Sequence, residues 1–148
     1  GLSVSSGTFT GSSGTVDVNG TLTISDGTFT APSSSGSLLL SGNLAISGSP
    51  TFTHNSGTIA FTGNSATIDV ASTESFSALT INKTGGQTLT VASGDALVAA
   101  GVLTLTDGAF ATGSVTAQGN IVVGAGWDAT QAANFTTHVQ TYLTAVGA

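Results

Sequence analysis

The sequence predicts an all-β chain folded as a parallel β-helix, or β-solenoid. Three observations carry this. Large apolar residues recur: Phe9, Phe29, Phe52 and Phe76 lie 20, 23 and 24 residues apart, and Phe110 and Phe135 lie 25 apart. Between these marks, apolar and small polar residues alternate in short runs, the period of a half-buried strand. The runs are separated by NG, DG, SG, TG and GG, which supply the positive φ angles of tight corners. A repeat near this length stacks as coils of about three strands, which gives roughly six to seven coils of about 20–25 residues. Right-handed coiling is expected by extension of the crossover rule for parallel strands.

The elements follow in order. Gly1–Ser6, GLSVSS, is strand-like and uncharged. TFT around Phe9 and TVDV at 15–18 complete a first unit. TLTI at 21–24 and TFT around Phe29 follow NG and DG corners, and Leu38 and Leu40 close the second unit. NLAI at 43–46, TFT around Phe52 and TIAF at 58–61 repeat the plan. TIDV, LTI, TLTV, LTL and IVV carry it to residue 123. Three ladders agree on the period: the Phe series, Leu22/Ile24 with Leu44/Ile46, and Val16/Val18 with Leu38/Leu40 and Ile59/Phe61. Hairpins in a meander or sandwich would also use NG and DG turns. They do not require aligned Phe and Leu pairs at this spacing. The expected core ladder is therefore Phe9, Phe29, Phe52, Phe76, Phe110 and Phe135, with Leu22 and Leu44.

Residues 126–148, GWDATQAANFTTHVQTYLTAVGA, fit two patterns. Asp128 caps a helix with Ala132, Phe135, Val139, Leu143 and Val146 along one stripe. Read by twos, Phe135 to Leu143 alternate as a strand, and FTTHV echoes the upstream FTHNS. A last β coil is the favoured expectation; a helix would act as a cap. The 148 residues suit one domain, 1–148.

Composition excludes several classes. Hydrophobic residues make up 39% and charged residues only 5%, with net charge −6. A chain this apolar is not disordered. Lys83 is the one basic side chain. Phosphate backbones need several cations, so neither nucleic acid nor an anionic membrane surface is an expected partner. No apolar run is long enough for a transmembrane helix. No signal peptide is visible and the chain starts at Gly1, as a mature chain or a piece of a longer one would. Cys and Met are both absent, which removes disulfides, thiol catalysis and thiolate metal sites. A sulfur-free chain rich in Ser, Thr and Gly suits the outside of a cell.

Candidate chemistry is sparse. Enzymes that cleave polysaccharide on a β-helix need grouped carboxylates or bases. Asp26 and Asp107 sit in DG turns, and Asp17 and Asp69 are the outward centres of V-D-V and I-D-V, too far apart to pair. Glu74, Asp95 and Asp128 complete the acids. Calcium-binding solenoids need dense Asp repeats that are missing here. His54 and His138 occupy echoing positions several coils apart and read as solvent-facing strand-end residues. No Gly-x-Ser-x-Gly elbow is present. Neither cofactor nor metal is expected. Asn82-Lys83-Thr84 and Asn134-Phe135-Thr136 match the N-glycosylation acceptor pattern. Asn43, Asn64 and Asn120 each follow Gly and are expected to bridge coils at a corner.

Threonine raises a sharper question. Thr8/Thr10, Thr28/Thr30 and Thr51/Thr53 flank Phe9, Phe29 and Phe52. On stacked strands they would form ranks about 4.8 Å apart, with about 7 Å between neighbours along a strand. Such a grid resembles the face of threonine-rich ice-binding solenoids. The ranks decay to Ser75/Ser77 and then Ala109/Ala111.

The repeats GTLTISDGTFTA, GNLAISGS and FSALTINKTGGQTLTVASGDALVAAGVLTLTDG resemble those of bacterial cell-surface and secreted β-solenoid proteins, the adhesin-like and autotransporter-like group. The resemblance implies a structural role outside the cell. An open solenoid end exposes unpaired backbone edges unless charge, proline or a cap protects it. These ends carry little charge, so the expected partner is a second copy stacked head to tail, or further coils of a longer chain. Glycans on exposed Ser, Thr or Asn fit the same setting. The expected function is a non-catalytic segment of a self-associating surface fibre or adhesin stalk. Two other classes are an ice-binding protein that uses the threonine grid, and a carbohydrate-active lyase or glycosidase-like β-helix.

Overall fold

A computed structural model describes residues 1–128, and every regular element in them is a β-strand. Coil 1 comprises β1 (Leu2–Val4), β2 (Thr8–Thr10) and β3 (Thr15–Val18). Coil 2 comprises β4 (Leu22–Ile24), β5 (Thr28–Thr30) and β6 (Ser37–Leu40). Coil 3 follows with β7 (Leu44–Ile46), β8 (Thr51–Thr53) and β9 (Thr58–Gly63). Coil 4 has β10 (Ala66–Asp69), β11 (Thr73–Phe76) and β12 (Ala78–Lys83). Coils 5 and 6 run through β13 (Thr88–Val91), β14 (Ala96–Ala99), β15 (Leu103–Thr112), β16 (Ser114–Ala117) and β17 (Ile121–Trp127). All strand pairs are parallel and join like strands of successive coils. The chain is a β-solenoid, as its periodicity predicts.

The strands make three faces. The first holds β1, β4, β7, β10, β13 and the end of β15; the third holds β3, β6, β9, β12, the start of β15, and β17. The long β15 turns the corner without a break, so these two faces count as one 11-stranded sheet. The second face is divided: β2-β5-β8 forms one sheet and β11-β14-β16 another.

Alternation decides what is buried. Leu22 pairs with Leu44 and Ile24 with Ile46, and all four are buried while Thr23 and Ala45 between them are not. Val16, Leu38 and Ile59 form another inward column, as do Val18, Leu40 and Phe61. The core is thus a set of apolar columns running the length of the stack. Burying a large aliphatic side chain contributes about 1.5–3 kcal/mol, and β-branched residues fit the strands they occupy.

The phenylalanine ladder holds for four coils. The Phe9 and Phe29 rings stack at 4.9 Å and 9°, and Phe29 and Phe52 at 5.7 Å and 3°. Phe76 meets Phe52 edge-on at 6.0 Å and 85°. Phe110 departs from this ladder. It lies on the first face, in register with Leu89 and edge-on to Trp127, because β15 carries the chain straight through the corner that precedes it. Phe135, and the choice between coil and helix for most of 126–148, lie outside the described residues.

Corners are tight. Gly7 and Gly27 each directly precede a TFT strand, with φ of 69° and 74°, a conformation a side chain resists. Side chains staple coil to coil elsewhere. The Thr67 amide donates to Asn43 Oδ1 at 2.9 Å, which is the bridging role expected of that corner asparagine. Ser65 donates from its amide and hydroxyl to Gln87 Oε1 at 3.0 and 2.8 Å.

Candidate functional site

The most ordered surface lies on the second face. Thr8, Thr28 and Thr51 are in register, as are Thr10, Thr30 and Thr53. The structure therefore brings together all six residues of the predicted threonine grid. Phe9, Phe29 and Phe52 alternate with them and face the core, and their near-parallel rings keep the three ranks aligned. The six threonines are exposed or half-buried, and their hydroxyls make no hydrogen bond among the described residues. The grid is uncharged and ends after coil 3, where the second face divides. A regular array of methyl and hydroxyl groups can order water or lie against a flat surface of matching repeat. It has no group that would transfer a proton near neutral pH.

The carboxylates do not converge. Asp17 is exposed on β3 and Asp69 is exposed on β10 of a different face. Asp26 accepts the Gly27 amide at 2.7 Å and Asp107 accepts the Gly108 amide at 2.7 Å, so both act as turn residues. Asp95 accepts the Val70 amide at 2.7 Å and ties coil 5 to coil 4. His54 is half-buried in a corner, where its Nδ1 accepts the Ser56 amide at 3.3 Å. Among the described residues no group of three His, Asp or Glu side chains could hold a metal ion, and no helix is long and apolar enough to cross a membrane. Asn82 of the first glycosylation pattern is exposed; Asn134 and His138 lie outside the described residues.

Two ionisable groups sit inward instead. Glu74 is in register with the buried Leu97 and Val115, so it interrupts an apolar column. Burial raises its carboxyl above the ordinary 4.5, opposed by a hydrogen bond from the Ser75 amide at 3.2 Å. Lys83 is fully buried. Its ammonium donates to the Thr62 carbonyl at 2.9 Å and lies 6.0 Å from the centre of the Phe61 ring. Burial pushes it down from 10.5 to about 8. Both placements follow from alternation. Leu79, Ile81 and Lys83 are one inward series, and Glu74 and Phe76 are another. The signal was the parity of each position, which a search for grouped charges passes over.

Lys83 also shapes its neighbour. Gly108 follows it in the next coil, and a side chain there would press on Lys83 Cβ at 2.6 Å. Compared with known protein families, curated proteins and solved structures, the chain matches none.

Proposed function

We propose that this protein is structural: a stiff, charge-poor β-solenoid segment of an extracellular or cell-surface fibre or adhesin stalk, working without catalysis. One observation carries the proposal. The strands of coil 1 pair on one side only, and Leu2, Phe9 and Val16 of its inward columns are half-buried where Leu22, Phe29 and Leu38 of coil 2 are fully covered. The first coil thus presents a cross-section of the apolar core, edged by unpaired backbone. Its one charged side chain is Asp17, too little to protect an edge. The surface that fits this face is another parallel coil, from a second copy stacked head to tail or from further coils of a longer chain. Stacking identical ends is heterologous and grows as a filament. Sedimentation velocity across a concentration series tests this. Elongated species should grow with concentration and disappear in Phe9→Lys, which places a charge on the open face. A wild-type chain that stays monomeric at every concentration overturns head-to-tail stacking of copies.

The registered threonine grid favours a second reading, binding to ice. Thermal hysteresis that is lost in Thr28→Tyr or Thr51→Tyr, with the fold retained, would replace the structural reading. The carbohydrate-active reading draws no support from the dispersed carboxylates.

A further inference from the structure

The second face is broken between coils 3 and 4, and the break has a local cause. The corner between the second and third strands spans residues 31–36 in coil 2 and 54–57 in coil 3, but in coil 4 it is Ser77 alone. The short corner draws β11 along its own axis. Phe76, the last residue of β11, then meets Phe52, the middle residue of β8. The two strands lose their ladder and the rings meet edge-on.

The other two faces hold this junction unequally. On the third face β9 and β12 pair over six residues, from Thr58 with Ala78 to Gly63 with Lys83. On the first face β7 and β10 pair only Leu44 with Ile68 and Ala45 with Asp69. The backbone edges across the break are left to other means. Ser72 and Phe76 carbonyls accept from coil 5, so the Thr73 and Ser75 amides point into the break. Ser75 is bonded by the carboxylate of Glu74, a side chain standing in for the missing strand. Thr51 bonds back to Gly27 of coil 2, so the Phe52 amide points into the break as well. On the core side of the break the Phe52 and Phe76 rings meet edge-on at 6.0 Å.

We propose that this junction is the yielding joint of the rod: the second face opens between β8 and β11 while the β9–β12 ladder acts as the hinge. Coils 1–3 and coils 4–6 then tilt against each other, and the seam takes up bending that continuous ladders elsewhere resist. The joint is a property of the coil stack and does not depend on end-on association.

Two measurements test it on the whole chain. Amide hydrogen exchange should be at least tenfold faster at Phe52 and Thr73 than at Phe29, which lies in the unbroken part of the same face. The chain has no cysteine, so spin labels can be placed in pairs. Thr28→Cys with Val98→Cys spans the break on the second face, and Leu39→Cys with Thr104→Cys spans the same coils on the third. The distance distribution should be broad on the second face and narrow on the third. Equal protection at Phe52 and Phe29, or equal widths on both faces, overturns the proposal.

Discussion

At the scale of single residues, Lys83 has the most strongly shifted titration among the described residues. Its amine titrates near 8 in the fold against an ordinary 10.5. Below pH 8 both folded and unfolded chains carry the charge, and the fold bears the full penalty of holding it in the core. Between these values the folded amine has released its proton and the unfolded one has not. Stability therefore rises with pH across this window, by about 3 kcal/mol at about 1.4 kcal/mol for each tenfold change in proton affinity. Lys83→Met should abolish that rise and add about 2 kcal/mol at pH 7, since losing the bond to Thr62 offsets about 1 kcal/mol. Urea midpoints from pH 7 to 10.5 check this; a wild-type profile that is flat refutes it. Glu74 has the opposite sign. Its raised carboxyl destabilises the fold above its titration and ceases to do so as pH falls below it. The inward parity of both positions was present in the sequence, although there they stood out only as the one basic side chain and one of the acids. Their burial was not legible, because alternation gives the direction of a side chain and not what closes over it.

At the scale of elements, the strands are ordinary and the corners are specific. Gly7 and Gly27 make the comparison cleanly, since they share a φ near 70°. A Cβ on Gly7 meets nothing within 4 Å, whereas one on Gly27 runs into the Gly7 carbonyl of the coil beside it. Gly7→Ala should cost about 1 kcal/mol from backbone conformation alone. Gly27→Ala should cost several times as much, because the collision adds to the same strain. Thermal or urea unfolding of the two variants measures the difference, and equal losses would show that coils do not press together at this corner. The strand sequence was readable from NG, DG and the Leu, Val and Phe ladders, whose register agrees with the structure from Val16 through Phe61. The break between β8 and β11 was not. Phe52 and Phe76 keep a spacing of 24 residues because the longer β9 and β10, and the place of Phe76 at the end of β11, offset the shorter corners at 54–57, 64–65 and 70–72. A repeat length reports the sum of strands and corners, so a slide of one strand within a coil leaves it unchanged. Phe110 escaped for a related reason: β15 merges two strands across a corner that normally separates them.

At the scale of the whole molecule, the described coils form a rod about 30 Å long at about 4.8 Å per coil. Its cohesion comes from ladders and apolar columns that run from coil to coil. Among the described residues, coils 2 to 5 have a neighbouring coil on both sides, with the second face open between coils 3 and 4, and coils 1 and 6 have one on a single side. The threonine grid is the part of the surface whose order exceeds what stacking requires, and it spans only the coils before the joint. Electron microscopy and fibre diffraction of concentrated wild-type protein test the central claim most directly. The predicted result is unbranched rods much longer than one chain, with a reflection near 4.8 Å along the rod axis. Discrete particles of single-chain length, with no axial order, would contradict it.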